Sequence, residues 1–225
     1  MMPENPHTPK TPARVAVLAS GSGSNFQALL DAAENKQLDA DIGLLIVNEP
    51  EAYAIERARN AGIEHAVINH RDYPDRAAFD RAVADRLCQY QPDWIVLAGF
   101  MRILTDAFVE QFHGRMINIH PSLLPRYPGL DTHQRALENG DHEHGVTVHF
   151  VTPTVDAGPI IAQASLPIHE NDTPESLKQR VHILEHRIYP HSLQRLIKGQ
   201  TDFNHAMRNK PVFFTEAELL DRNLD

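Results

Sequence analysis

The sequence is poor in cysteine, in cationic side chains and in long apolar runs. A single cysteine, Cys88, excludes an internal disulfide framework and a zinc site built from several cysteines. No stretch approaches the roughly 18 consecutive apolar residues that a membrane-spanning helix needs, so no membrane partner is expected. The opening Met1-Met2-Pro3-Glu4-Asn5-Pro6 has no apolar signal core, and a cytoplasmic setting is expected. Lys and Arg number 21 against 30 Asp and Glu, a formal charge of −9. Duplex nucleic acid is therefore not expected as a partner. Small anions are still compatible, because a nest of backbone N–H groups binds them whatever the net charge. What is present is an ordinary globular composition, 42% hydrophobic over 225 residues, with apolar surface enough for one generous domain.

Residues 1–12 hold four prolines and little that is apolar, which predicts a disordered N-terminal tail. The pattern then changes. Short apolar runs appear at Arg14–Ala19, Ile42–Val47, His65–Ile68, Trp94–Ala98, Arg115–Ile119, Gly145–Val151 and Pro159–Leu166. Helical spacing appears at Asn25–Lys36, Glu51–Ala61, Arg76–Gln89, Thr105–Phe112 and Thr132–Glu138, and in a long helix from Pro174 to about Ile197. Thr173 is placed to cap that last helix, with Pro174 in its first turn. Cys88 is assigned to the apolar face of the third helix, hence to the core. Continuous apolar runs alternating with amphipathic helices predict an α/β fold. The expectation is one domain over 13–200, a mostly parallel twisted sheet of about seven strands with helices on both faces, Rossmann-like. The weakly patterned residues 201–225 are expected as an extension packed on or near it.

Three places carry chemistry. The first strand stops at Gly21-Ser22-Gly23-Ser24-Asn25 and a helix follows. Glycine lets a backbone approach closely, and the free N–H groups and dipole of a helix start favour an anion. The third glycine of a dinucleotide fingerprint would fall on Phe26, and no Gly-Lys-Ser/Thr follows, so a small monophosphate fits better. A tight turn capped by Ser24 or Asn25 is the alternative from these residues alone. Next, Asn118 and His120 share a face at the carboxyl end of the fifth strand, where open α/β sheets place ligands. An amide beside an imidazole suits an oxyanion, although a solvated polar strand end has the same spacing. Finally, Asp156 precedes Ala157-Gly158-Pro159. An acid before glycine is ordinary turn chemistry, unless it meets His120, where a carboxylate favours imidazolium.

Taken together, GSGSN (21–25), AGFMRIL (98–104), NIHPSLLPRYPG (118–129), HGVTVHFV (144–151) and VDAGPI (155–160) resemble the phosphoribosylglycinamide formyltransferase family, from about Arg14 to Ile197. The NIHPSLLP segment is also shared with other folate-dependent formyltransferases. The resemblance implies the formyltransferase fold and transfer of a formyl group from 10-formyltetrahydrofolate to the glycyl amine of glycinamide ribonucleotide. It implies a folate co-substrate, small-molecule partners, and no metal or tightly bound cofactor. It assigns catalysis to Asn118, His120 and Asp156, and the ribonucleotide to Gly23, Ser24, Asn25 and Glu185. Folate is assigned to Arg76, Met101, Arg102, Ile103, Leu104, Thr152 and Val155, together with Asn118 and Asp156. The chain departs from the family pattern at Asp131, where many bacterial members carry histidine, and at His182.

Three other readings compete. His182-Ile183-Leu184-Glu185-His186 matches the H-x-x-E-H pattern of zinc hydrolases, but a chain with 14 histidines produces such matches cheaply. A non-catalytic phosphate-binding module leaves Asn118, His120 and Asp156 without a shared purpose. Formyltetrahydrofolate deformylase or methionyl-tRNA formyltransferase would each be expected to bring an extra domain. The remaining histidines, His144 among them, are assigned to solvent or loops. His133 is allowed to approach the site and His149 to lie beneath it, both without a catalytic role.

Overall fold

The computed structural model describes residues 12–221, so nearly all of the expected N-terminal tail lies outside the described residues. The chain order is β1 (Ala13–Ala19), α1 (Ser24–Glu34), β2 (Ala40–Val47), α2 (Ala54–Asn60), β3 (Glu64–Val67), α3 (Arg76–Tyr90), β4 (Trp94–Leu97) and α4 (Asp106–Gln111). There follow β5 (Met116–His120), α5 (Thr132–Glu138), β6 (Glu143–Phe150), β7 (Ile160–Pro167), α6 (Pro174–Ile197), α7 (Phe203–Arg208), β8 (Val212–Thr215) and α8 (Glu216–Asp221). One sheet results, in the order β3-β2-β1-β4-β5-β6-β7-β8. The first five of these strands run parallel, and β6 is antiparallel to both neighbours. The sheet has eight strands where the sequence predicts about seven, because β8 pairs in parallel with β7.

The alternation within β1 explains why it reads as an unbroken apolar run. Val15, Val17 and Ala19 face one core, with Phe26 and Leu29 of α1 and Leu184 and Ile188 of α6. Ala16 and Leu18 face the other, with Phe79, Val83 and Leu87 of α3. Both faces are dry, so both register positions are apolar. Thr173 and Ser176 close a reciprocal capping box with Pro174 in the first turn of α6, as the residues suggested. Among the described residues no helix is long and apolar enough to cross a membrane.

Three expectations fail, one of them at His191, assigned to solvent or a loop and found half-buried within α6. Cys88 is exposed rather than core, and its sulfur accepts from Gln111 Nε2 at 3.3 Å. Its neighbour Leu87 takes the buried face, and a step of one residue turns a helix by about 100°. His144 is buried rather than solvent-facing, because β6 begins at Glu143, earlier than its apolar pattern, and is covered on both sides.

Candidate active site

Strand β5 ends at the switch between parallel and antiparallel pairing, and β6 lies beside it in a register that sets Asn118 opposite His149. Asn118 Nδ2 sits 3.3 Å from His149 Nε2. His149 Nδ1 donates to the Phe150 carbonyl at 2.9 Å. Burial pushes the His149 pKa down, so the ring is held neutral with its proton on Nδ1. Nε2 is therefore an acceptor, and the Asn118 amide donates to it. One amide hydrogen is fixed on His149 and the other is left to face the cleft.

His120 is buried, and both of its ring nitrogens meet acceptors. Nε2 donates to the Tyr127 carbonyl at 2.8 Å. Nδ1 lies 3.4 Å from Asp156 Oδ2. Asp156 also stands 3.7 Å from His149 Nε2 through Oδ1, and its Oδ2 accepts the Gly129 N–H at 2.8 Å. Asp156 reaches this position from a left-handed backbone, φ 52°. The turn behind it requires glycine, because a Cβ on Gly158 would fall 1.8 Å from the Phe150 carbonyl oxygen. One carboxylate thus joins the β5 terminus, β6 and the 121–131 loop. That loop is anchored from below: buried Thr147 donates to the Ser122 carbonyl at 2.6 Å and accepts the Leu124 N–H at 3.0 Å.

The glycine-serine turn delivers the start of α1 to the same region. Gly23 is the N-cap residue with φ 68°, and no side chain caps the helix. The alternative of a Ser24 or Asn25 cap is therefore not what forms. Asn25 Nδ2 instead donates across to Glu185 Oε2 on α6 at 2.8 Å. Glu185 is 4% exposed, and burial pushes its pKa up to about 7. The reason for glycine at 23 differs from simple ligand approach: a Cβ there would stand 2.7 Å from Ala54 Cβ in α2. The sequence reading missed Arg57, whose Nε donates to the Ser22 carbonyl at 2.8 Å and steadies the turn.

A cleft of about 710 Å³ opens beside these groups. Its lining brings together Met101, Arg102, Ile103, Leu104, Thr152 and Val155, as well as Asn118, His120, Asp156 and Glu185. Met101 and Ile103 are 63% and 58% exposed, an apolar rim awaiting cover. The strand-to-helix connection that carries them is pinned at both ends. Met101 N–H donates to Ser20 Oγ at 2.7 Å, and Thr105 N–H to buried Asp80 at 2.6 Å. Arg76, at the start of α3, is exposed and is not among the lining residues. Gly23, Ser24 and Asn25 lie outside the cleft lining as well, Ser24 on a separate groove, and the turn is tied to the cleft through the Asn25–Glu185 hydrogen bond. His133, Lys178 and His182 line the cleft. The H-x-x-E-H segment turns Glu185 inward to Asn25, while the His182 and His186 rings stack with centroids 6.2 Å apart.

A formyl transferase family model matches residues 13–193. The phosphoribosylglycinamide formyltransferase of Escherichia coli is 48% identical over 176 residues, 78% of this chain and 83% of that protein. The chain belongs to the phosphoribosylglycinamide formyltransferase family. Solved relatives agree on shape. The family member from Coxiella burnetii superposes with a TM-score of 0.82 at 49% identity, covering 85% of this chain and 90% of that one. The glycinamide ribonucleotide transformylase 1 of Symbiobacterium toebii gives 0.82 at 44% identity, covering 87% and 90%. The human trifunctional purine biosynthetic protein adenosine-3 carries a matching stretch, 46% identical over 190 residues, 84% of this chain but 19% of that larger protein.

Proposed function

We propose that the chain transfers the formyl group of 10-formyltetrahydrofolate to the glycyl amine of N1-(5-phosphoribosyl)glycinamide, giving the N-formyl ribonucleotide and tetrahydrofolate in de novo purine biosynthesis. One observation carries this reading beyond family membership. The Asn118–His120–Asp156 cluster lines an apolar-rimmed cleft together with Glu185, and Glu185 accepts from Asn25 in the uncapped first turn of α1, so a folate in the cleft and a phosphorylated acceptor reaching in from α1 can be served by one site.

In this reading the ribonucleotide phosphate takes the α1 amides at Gly23, Ser24 and Asn25, and Glu185 holds the sugar end. The pteridine side of the donor lies on the 101–104 segment and against Thr152 and Val155. Arg76, on the rim of α3, is left for the far end of the donor. The amine nitrogen attacks the formyl carbon and a tetrahedral oxyanion forms. Asn118 donates its second amide hydrogen to that oxygen. His120 donates from Nε2, the oxyanion taking the place now held by the Tyr127 carbonyl. Asp156 balances the imidazolium and receives the amine's proton through water. The carbon–N10 bond then breaks as N10 takes that proton back from Asp156 through water, and tetrahydrofolate leaves. Catalysis rests on donors fixed in advance around developing charge. The folate is a co-substrate consumed each turn, and no covalent enzyme intermediate is needed. The catalytic unit is residues 13–200, and a cytoplasmic setting belongs to the same reading.

The test is donor consumption with and without the ribonucleotide. Tetrahydrofolate formation that requires glycinamide ribonucleotide supports the assignment. Equal formation without it, with release of formate, would mark a deformylase.

A further inference from the structure

Helices α1 and α6 leave a second groove of about 530 Å³ that shares no lining residue with the catalytic cleft, although Ser24, assigned above to the ribonucleotide phosphate, also lines it. That volume falls in the range of about 300–1,000 Å³ usual for small-molecule sites. Its charge runs against the composition of the chain. Arg57, Arg187, Arg195 and Lys198 line it against a single acid, Asp31, in a protein of net charge −9. Two of these cations are already engaged: Arg57 with the Ser22 carbonyl and Gln27, and Lys198 with Asp39 at 2.5 Å. Arg187 and Arg195 have no ion-pair partner among the described residues.

The second observation is independent of charge. Buried polar atoms normally find partners. Here Arg195 Nε, His186 Nε2 and His191 Nε2 are buried with none, and all three belong to residues of this groove. Burial and the nearby Arg195 push the His191 pKa down to about 4, and burial lowers that of His186. Both rings are therefore neutral near pH 7, flat surfaces able to exchange a hydrogen bond. Ala28, Ala32 and Pro190 add apolar wall.

We propose that this groove is a second ligand site, for a nucleoside monophosphate, with the phosphate on Arg187 and Arg195 and the nucleoside along Ala28, Ala32 and Pro190 between the two imidazoles. A bare phosphate would fill a small part of the space and leave the apolar wall and the rings unused. The site goes beyond the formyl-transfer reading and does not depend on it, since binding is read without turnover.

The test is calorimetric titration of the full chain with adenosine 5′-monophosphate, in the absence and presence of saturating glycinamide ribonucleotide. Binding is expected to persist when the ribonucleotide is present. It is expected to weaken at least tenfold in the double variant Arg187→Gln/Arg195→Gln, whose turnover and melting temperature stay at wild-type values. Three results would overturn the proposal. The ribonucleotide could abolish nucleotide binding, placing the ligand in the substrate site. The double variant could bind as tightly as wild type. Inorganic phosphate, titrated in parallel, could bind as tightly as the nucleotide, removing the nucleoside from recognition.

Discussion

Replacing Asp156 with Asn leaves the shape of the site almost unchanged and removes its charge. The backbone at Asp156 is left-handed, φ 52°, a conformation that Asn accepts better than other side chains. The amide oxygen can keep the Gly129 N–H, which the carboxylate now accepts at 2.8 Å. What disappears is an anion 3.4 Å from His120 Nδ1. Unit charges at that separation interact by about 5 kcal/mol at an effective dielectric near 20. The transition state loses the part that holds His120 charged while the oxyanion forms; half of it, about 2.5 kcal/mol, is close to a hundredfold in rate. Loss of the water-borne proton route adds to this, so kcat should fall by about 10²–10³, the scale of a lost oxyanion donor. Dissociation constants for both substrates should move by less than about threefold, because the interaction grows only as charge develops. Steady-state kinetics and calorimetry on both proteins check this. An Asp156→Asn enzyme within threefold of wild-type kcat, or one whose loss lies entirely in substrate affinity, would refute the reasoning.

Glu185→Gln should raise the KM for the ribonucleotide and also change pH stability. A buried carboxyl raised to about 7 holds a proton in the folded state that the unfolded chain releases, so wild-type stability should fall as pH rises from about 4.5 to 7, by roughly 3 kcal/mol at most, and urea titrations should show that slope missing in the variant. His144 has the opposite sign: it is 2% exposed and lowered to about 4, so the stability tied to its neutral form should be lost as pH falls from about 6.5 to 4, and His144→Gln should flatten that limb of the melting curve. Tyr189→Phe removes a buried hydroxyl that donates to the Leu97 carbonyl at 2.8 Å and lies 3.2 Å from that of Ile117, next to Asn118; we expect a loss of about 1 kcal/mol in stability and a fall in kcat with KM unchanged, read by thermal melts and kinetics. Gly23→Ala meets Ala54 Cβ at 2.7 Å in a left-handed turn, so it should lower the melting temperature as well as ribonucleotide affinity, leaving folate affinity near normal by titration.

How much could be read from residues alone follows from what each element buries. Strands β1, β2 and β4 were legible because, beyond Arg14 and Asp41 at the second positions of β1 and β2, their residues are apolar and almost all buried. Strand β8 was not: its four residues, two of them aromatic, follow Lys210-Pro211, and they make a strand only because β7 offers an edge. Helix α6 announced its start through Thr173 and Pro174. Cys88 beside Leu87 shows the limit: adjacent apolar residues can both be buried, as Val83 and Ala84 are in the same helix, so local pattern alone does not say which of a pair faces solvent. In the site, Asn118 and His120 share a face by strand geometry, which any strand imposes. Their connection to His149 depends on the register of β5 against β6, and that to Asp156 on a turn 36 positions further along the chain. Those are tertiary facts: the residues alone offer Asp156 as turn chemistry unless it meets His120, and the motif resemblance assigns it to catalysis. Arg57 carried no local signal, because its partner Ser22 lies 35 residues away.

The central claim is that this cluster moves a formyl group onto an amine. The most direct measurement is carbon NMR on 10-formyltetrahydrofolate labelled with ¹³C in the formyl carbon, mixed with glycinamide ribonucleotide and the purified chain. The account predicts that the labelled carbon appears as the formamide of the ribonucleotide, and that His120→Ala enzyme leaves it on the folate over the same interval. Label accumulating as formate, or reaching the ribonucleotide at the same rate with His120→Ala, would contradict it.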